Sequence, residues 1–109
     1  DELTEDQLVK ILIENKNSLV KQYKFMFELD GIELNFEDSA LRDIAKQAKE
    51  LKTNARGLKN ILEKILLPYQ FDAVNLVERG LSKIIISKDT VSGSPAVLIF
   101  DKKVKNDQK

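Results

Sequence analysis

The residues best suited to chemistry lie in one short stretch, residues 53–60, which read Thr-Asn-Ala-Arg-Gly-Leu-Lys-Asn. Thr53 and Asn54 are residue types that favour helix N-caps or left-handed positions, so a helix is predicted to begin at Ala55 or Arg56. The apolar residues that follow recur at the i, i+3, i+4, i+7 spacing of one buried helical face. They are Leu58, Ile61, Leu62, Ile65, Leu66 and Tyr69.

This helix begins with cations in its first turn. Arg56 and Lys59 precede its first acid, Glu63. The N-terminus of a helix carries roughly half a positive charge, so each cation there is unfavourable by about 0.3–1 kcal/mol. A bound anion nearby would reverse that sign. The pattern therefore has two interpretations: the Arg56 guanidinium faces a bound phosphate, or both residues are solvated surface cations.

Composition narrows the chemistry open to the chain. Among its 109 residues, 18 basic side chains balance 18 acidic ones, and cysteine and histidine are both absent. Without cysteine, thiolate chemistry is excluded and zinc or iron–sulfur sites are not expected. Without histidine, the commonest general base and metal ligand is missing. Zero net charge disfavours a nucleic-acid partner and no apolar run reaches membrane-spanning length, so we expect one soluble domain with no metal site.

The first half of the chain is predicted to be mainly helical. Residues 4–7 (Thr-Glu-Asp-Gln) fit a capping box that begins the first helix, and residues 15–18 (Asn-Lys-Asn-Ser) predict a break. A second helix over residues 19–29 is ended by the pair Asp30-Gly31. Alternation over residues 32–36 predicts a short strand. An amphipathic stripe of Leu41, Ile44, Ala45, Ala48 and Leu51 predicts the next helix.

The second half is predicted to complete a small sheet. The Arg56 helix is expected to end or kink at Pro68, with residues 72–82 as a variable connection. Strands are predicted at residues 84–86 and 96–100, with a turn or single helical turn over residues 87–90. Residues 101–109 are expected to be a disordered tail. The predicted class is α+β, mostly helical, with three to four helices and a small two- to three-stranded sheet.

The second helix carries an aromatic and methionine cluster of Tyr23, Phe25, Met26 and Phe27. Such stripes at helical spacing are typical of core packing. One helix cannot bury all of its sides in so small a domain, so the exposed part of this cluster is expected to form an interface.

Five segments together resemble the C-terminal small domain of the ClpX family, AAA+ unfoldases that feed proteins to the ClpP protease. They are residues 8–12, 16–23, 27–31, 40–45 (Ala-Leu-Arg-Asp-Ile-Ala) and 52–58 (Lys-Thr-Asn-Ala-Arg-Gly-Leu). The resemblance runs from Leu3 to about Phe71 without gaps and more loosely to Phe100, and residues 68–81 follow it poorly. Asn54 stands where the family usually carries glycine, a position where asparagine tolerates a left-handed conformation.

The resemblance implies a small, or lid, domain over residues 1–100, with a hinge near residues 1–4 to a separate large domain. Arg56 would be the sensor-2 arginine that contacts the phosphates of ATP. Ala55, Gly57 and Lys59 would lie beside the nucleotide, and Leu3 near its adenine. ATP or ADP with magnesium would be held mainly by the large domain, so this chain alone would not be catalytic.

The resemblance also implies partners. The small domain would pack on the large domains of its own and of the neighbouring subunit in a homohexamer, which would deliver protein substrates to ClpP in the bacterial cytoplasm or the mitochondrial matrix. The isolated chain is predicted to be a monomer, because it lacks the large domain. Two alternatives remain open: the lid domain of a different AAA+ ATPase that acts on nucleic acid, and a stand-alone helical interaction module.

Overall fold

The structure, a computed structural model, describes residues 3–14 and 18–100. Residues 1–2 of the predicted hinge, residues 15–17 of the predicted break and the tail at residues 101–109 lie outside the described residues. The described elements are α1 (Glu5–Ile13), α2 (Leu19–Leu29), β1 (Glu33–Phe36), α3 (Asp38–Glu50), α4 (Asn54–Phe71), α5 (Ala73–Glu78), β2 (Leu81–Ile86), α6 (Lys88–Val91) and β3 (Val97–Phe100).

The predicted α+β class is confirmed. In the described ranges there are six helices, four of them nine residues or longer, and one three-stranded sheet. The predicted capping box begins α1, because the backbone amide of Gln7 donates to Thr4 Oγ1 at 3.1 Å and the amide of Thr4 donates to Gln7 Oε1 at 2.8 Å. Ser18 caps α2 by accepting from the amide of Lys21.

The sheet is mixed, with β2 in the centre. β1 pairs with β2 in parallel, and β3 pairs with β2 in the antiparallel direction. A parallel pair needs a crossover connection, which here consists of α3, α4 and α5. Leu34, Ile84 and Ile86 are fully buried, whereas Glu33 and Lys83, which are partners in the register, form an ion pair at 3.9 Å. The sheet therefore buries one face and leaves charged residues on the other.

The core lies between the helices and the buried face of the sheet. α3 packs against α1, α4 and α6, and α5 packs against β2. The apolar stripe predicted for α3 is confirmed at Ile44, Ala45 and Ala48, which have no exposed surface. Leu51, placed in the same stripe, is 63% exposed because α3 ends at Glu50 and the chain turns there.

An end of α4 at Pro68 and a plain connection after the helix, both predicted from the sequence, are not found. Pro68 lies inside the helix, which continues to Phe71. The proline is exposed, and the last turn beyond it is held because Tyr69 accepts a hydrogen bond at its hydroxyl from the amide of Ala96 at 2.8 Å. Tertiary contacts thus override the helix-breaking tendency of proline. Residues 72–82 are not merely a connection, since they hold α5 and the start of β2.

The turn between α3 and α4 also differs from prediction. The left-handed residue is Lys52, with φ of 58°, and not Thr53 or Asn54, which is already helical. The amide of Lys52 donates to the carbonyl of Lys49 at 3.0 Å and that of Thr53 to the carbonyl of Ala48 at 3.3 Å. These two bonds define a Schellman motif, in which the left-handed position usually belongs to glycine. Gly31 occupies the equivalent position after α2.

Lys52→Gly is expected to stabilise the chain by about 0.5–1 kcal/mol, because glycine adopts a left-handed conformation without the steric penalty of a Cβ atom. For a domain of this size that is a rise of roughly 2–8 °C in the thermal midpoint. The matched control is Lys46→Gly, at an exposed position within α3, which should cost about 1 kcal/mol. Thermal unfolding followed by circular dichroism measures the stability of both variants. A loss of stability in Lys52→Gly would contradict a steric penalty at the left-handed Lys52.

Candidate functional site

The predicted cations lie where the end of α3 meets the start of α4. Thr53 links the two helices: its amide and its hydroxyl both donate to the carbonyl of Ala48, at 3.3 and 3.5 Å. The hydroxyl is thereby turned toward α3, and Thr53 makes no side-chain cap on α4. The amides of the first turn of α4 consequently have no capping side chain to accept their hydrogen bonds.

The first turn of α4 combines the missing cap with a cation, Arg56, and no acidic residue. The first turns of α2 and α5 also lack acids, whereas α1 begins with Glu5 and Asp6 and α3 with Asp38. Both the dipole and the uncapped amides make such a helix start a favourable place for an anion. The predicted pattern is retained for Arg56 only, because α4 begins at Asn54 and Lys59 therefore lies beyond the first turn.

Arg56 and its neighbours occupy this helix start. Arg56 and Ala55 are exposed, and Arg56 makes neither an ion pair nor a side-chain hydrogen bond within residues 3–14 and 18–100. Lys59 is exposed one turn further along, at the edge of a groove. Arginine presents a planar fork of donors suited to phosphate oxygens, so the exposed guanidinium is chemically available for an anionic ligand.

Gly57 is the buried member of the predicted set. Its amide donates to the carbonyl of Thr53 at 3.3 Å, which leaves it no free backbone donor. A Cβ atom on Gly57 would overlap the Thr53 hydroxyl, lie 2.9 Å from Thr53 Cβ and lie 3.4 Å from Ala48 Cβ. The α3–α4 turn therefore packs directly on a residue without a side chain.

Leu3 lies on a different element from the other predicted site residues. It precedes α1 and is half-buried against the hydrophobic core. Four of the five predicted residues, Ala55, Arg56, Gly57 and Lys59, thus share the start of α4, and Leu3 does not. Their roles toward a nucleotide stay predictions.

Sequence reasoning missed an exposed apolar face on the far half of α4. Leu67, Phe71 and Val74 are 49%, 82% and 66% exposed, and they continue into α5. Leu67 borders a groove of about 650 Å³ between α2 and α4, which Tyr23, Met26 and Lys59 also line. Leu67, Phe71 and Val74 follow the i, i+4, i+7 spacing of one helical face, which could have indicated this surface. The sequence pattern predicts instead that the helix ends or kinks at Pro68, before two of the three residues.

The aromatic cluster of α2 is divided as predicted between core and surface. Tyr23 and Phe27 are buried at 7% and 2% exposure, whereas Phe25 and Met26 are exposed. Burial, and secondarily the charge of Glu63, raise the pKa of the Tyr23 hydroxyl above its ordinary value. The fold thus favours the neutral phenol.

Tyr23 is expected to make the stability of the chain fall at alkaline pH. Because its pKa is raised in the folded state, its contribution is complete below the unfolded value near 10.0 and is lost as the pH rises through the folded value. Urea denaturation at about pH 8 and about pH 11 should show a smaller alkaline loss in Tyr23→Phe than in the original chain. Equal losses in the two proteins would contradict this assignment.

Among residues 3–14 and 18–100, no group of three or more histidine, cysteine, aspartate or glutamate side chains is placed to hold a metal ion. Across the same residues, no helix has both the length and the apolarity needed to cross a membrane.

Helices packed on a small, three-stranded mixed sheet form the α+β architecture of an AAA+ small domain. The chain belongs to the family described as the C-terminal, D2-small domain, of ClpB protein, whose family model matches residues 3–95.

Individual relatives carry the name of another Clp protein. The chain is 38% identical over 106 residues to the ATP-dependent Clp protease ATP-binding subunit ClpX of Treponema denticola, covering 94% of this chain and 25% of that protein. It is 42% identical to the protein of the same name from Borrelia duttonii, covering 84% of this chain and 21% of the relative. The protein named ClpX 2 from Wolinella succinogenes is 40% identical, and the match covers 88% of this chain and 24% of that relative. The resemblance to the ClpX small domain is confirmed, and the chain spans about a quarter of these relatives.

Proposed function

We propose that this chain is the small domain of a ClpX-like, ATP-dependent protein unfoldase, and that Arg56 senses the phosphates of ATP bound mainly by a large domain. The observation that carries the proposal is the exposed Arg56 side chain, without a protein partner in the described residues, on the uncapped first turn of α4. The relatives named as ATP-binding subunits support it.

The chemistry of the helix start suits this role. A cation such as Arg56 would be unfavourable in the first turn of a helix with nothing bound, and a polyphosphate would make it favourable. An arginine–phosphate contact is a charge-assisted hydrogen bond, about twice as strong as a neutral one. Because Arg56 lies on a different domain from the main nucleotide site, its contact would depend on the angle between the domains. ATP binding would therefore favour one interdomain angle over others.

The exposed apolar residues would serve assembly. We assign Leu67, Phe71 and Val74, together with the exposed Phe25 and Leu29 of α2, to contacts with the large domain of a neighbouring subunit in a hexameric ring. Large apolar side chains that stay exposed in a small domain commonly mark such interfaces. The ring would unfold protein substrates and deliver them to ClpP, so the activity belongs to the assembled protein.

The direct test is amide hydrogen exchange in the complete subunit encoded by the gene, with and without ATP. The amides at the start of α4 should exchange more slowly when nucleotide is bound, because the phosphate accepts their unused hydrogen bonds. The matched control is the start of α3, which also lacks a side-chain cap but carries Asp38. Its exchange should not change.

Protection of both helix starts to the same extent would indicate general tightening of the domain and would contradict a phosphate contact at Arg56. An unchanged rate at α4 would contradict the proposal directly. The complete gene also separates the alternatives. A P-loop and an aromatic pore loop outside this chain would favour an unfoldase, and DNA-binding elements would favour a nucleic-acid motor. A gene that encodes none of these features would favour an interaction module.

A further inference from the structure

We propose that Gly57 is a positioning residue for Arg56, and that its missing side chain lets Thr53 fix the direction in which Arg56 leaves α4. This inference rests on the proposed function, since it concerns how the phosphate-sensing arginine is held. It gives Gly57 a role other than contact with the nucleotide. The buried position of Gly57 and its amide, which already donates to Thr53, both argue against such contact.

Thr53 holds the junction between α3 and α4 together. Thr53 is tied to the end of α3 by two hydrogen bonds to one acceptor, the carbonyl of Ala48. On its other side, Thr53 lies so close to Gly57 that a Cβ atom there would be 2.9 Å from Thr53 Cβ. A Cβ position is fixed by the backbone, so rotating the Thr53 side chain relieves the overlap with its hydroxyl but not this second contact.

The overlap must therefore be relieved by a backbone shift. The turn would have to move away from α4, or α4 would have to move away from Ala48, whose Cβ atom lies 3.4 Å from the same point. Arg56 directly precedes Gly57 in the first turn, so either movement changes its direction. Moving the Cβ atom from 2.9 Å to an ordinary van der Waals distance takes roughly half an ångström. A misplacement of about 1 Å can reduce activity as much as a hundredfold, so a loss of about tenfold is expected here.

The test is ATP binding by the complete subunit in four variants and their combinations. Gly57→Ala is expected to weaken ATP affinity about tenfold. The same substitution in an Arg56→Ala background should change affinity by less than about twofold, because the effect passes through the arginine. Thr53→Gly removes the opposing Cβ atom. The double variant Thr53→Gly/Gly57→Ala should therefore bind ATP with an affinity within about threefold of that of the single variant Thr53→Gly. Lys64→Ala, an exposed cation further along α4, should leave affinity unchanged.

The outcomes separate this inference from the proposed function. If Arg56→Ala has no effect on ATP affinity, both fail. If Arg56→Ala weakens binding but Gly57→Ala does not, the function stands and the positioning role is wrong. An equal loss from Gly57→Ala with and without Arg56 would show a structural role and overturn the inference. We expect the Gly57→Ala chain to stay folded, because alanine gains helix propensity. Loss of its folded circular dichroism signal would likewise overturn the inference.

Discussion

Replacing Arg56 with alanine is expected to lower ATP affinity or turnover in the complete subunit at least tenfold. A hydrogen bond to a charged group contributes about 1.5–3 kcal/mol, which corresponds to roughly ten- to 150-fold. Arg56 makes no competing contact in the described part of the chain, so the substitution removes little from the domain itself. Steady-state ATP hydrolysis and unfolding of a tagged protein substrate measure the loss, and thermal unfolding confirms that the domain remains intact.

Two variants make this prediction specific. Arg56→Lys keeps the charge but loses the planar fork, so we expect an intermediate defect. Lys64→Ala removes a cation from the same helix beyond its first turn and should have no effect on ATP hydrolysis. Equal losses in Arg56→Ala and Lys64→Ala would mean that the general charge of α4 matters and that the phosphate contact does not exist.

Phe27→Ala is expected to have the largest effect on stability, a loss of about 3–5 kcal/mol. Phe27 lies in α2 with only 2% of its surface exposed, and its carbonyl accepts the amides of Asp30 and Ile32 at the helix end. Removing the ring leaves a cavity next to that turn. Domains of this kind have total stabilities of about 5–15 kcal/mol, so a large part of the chain's stability would be lost.

The same helix offers a matched control. Phe25 is two residues away and 59% exposed, so Phe25→Ala should change the free energy of unfolding by no more than about 0.5 kcal/mol. Urea denaturation of the isolated chain followed by circular dichroism compares the two directly. Similar losses from the two substitutions would contradict the burial described for α2.

The sequence was sufficient where local signals and packing agree. The capping box at Thr4, the glycine after α2 and the stripe of α3 each predicted an element that the fold contains. Proline does not end the helix at Pro68, because the hydroxyl of Tyr69, in the turn beyond it, accepts a hydrogen bond from the amide of Ala96. Tertiary contacts of this kind link residues far apart in the chain and leave no periodic trace in it.

The candidate site was predictable only in part. The absence of acids around Arg56 is visible in the sequence, since it depends on neighbouring residues of one helix. The left-handed conformation of Lys52 could not be predicted from the sequence, because lysine has no preference for it. The Schellman hydrogen bonds to α3 impose this conformation. The close packing of Thr53 on Gly57 depends on the angle between two helices, which no local pattern encodes.

The parallel pairing of β1 with β2 also constrains how the chain can fold. β1 is made before its partner, which follows only after α3, α4 and α5. A nascent chain that ends before Leu81 therefore exposes the unpaired edge of β1, with Leu34 uncovered by its partner Ile84. Contacts between such distant segments slow folding, because loop-closure entropy is lost before the strands pair. The domain should accordingly complete its fold late on the ribosome, and truncation before β2 should yield an aggregation-prone fragment.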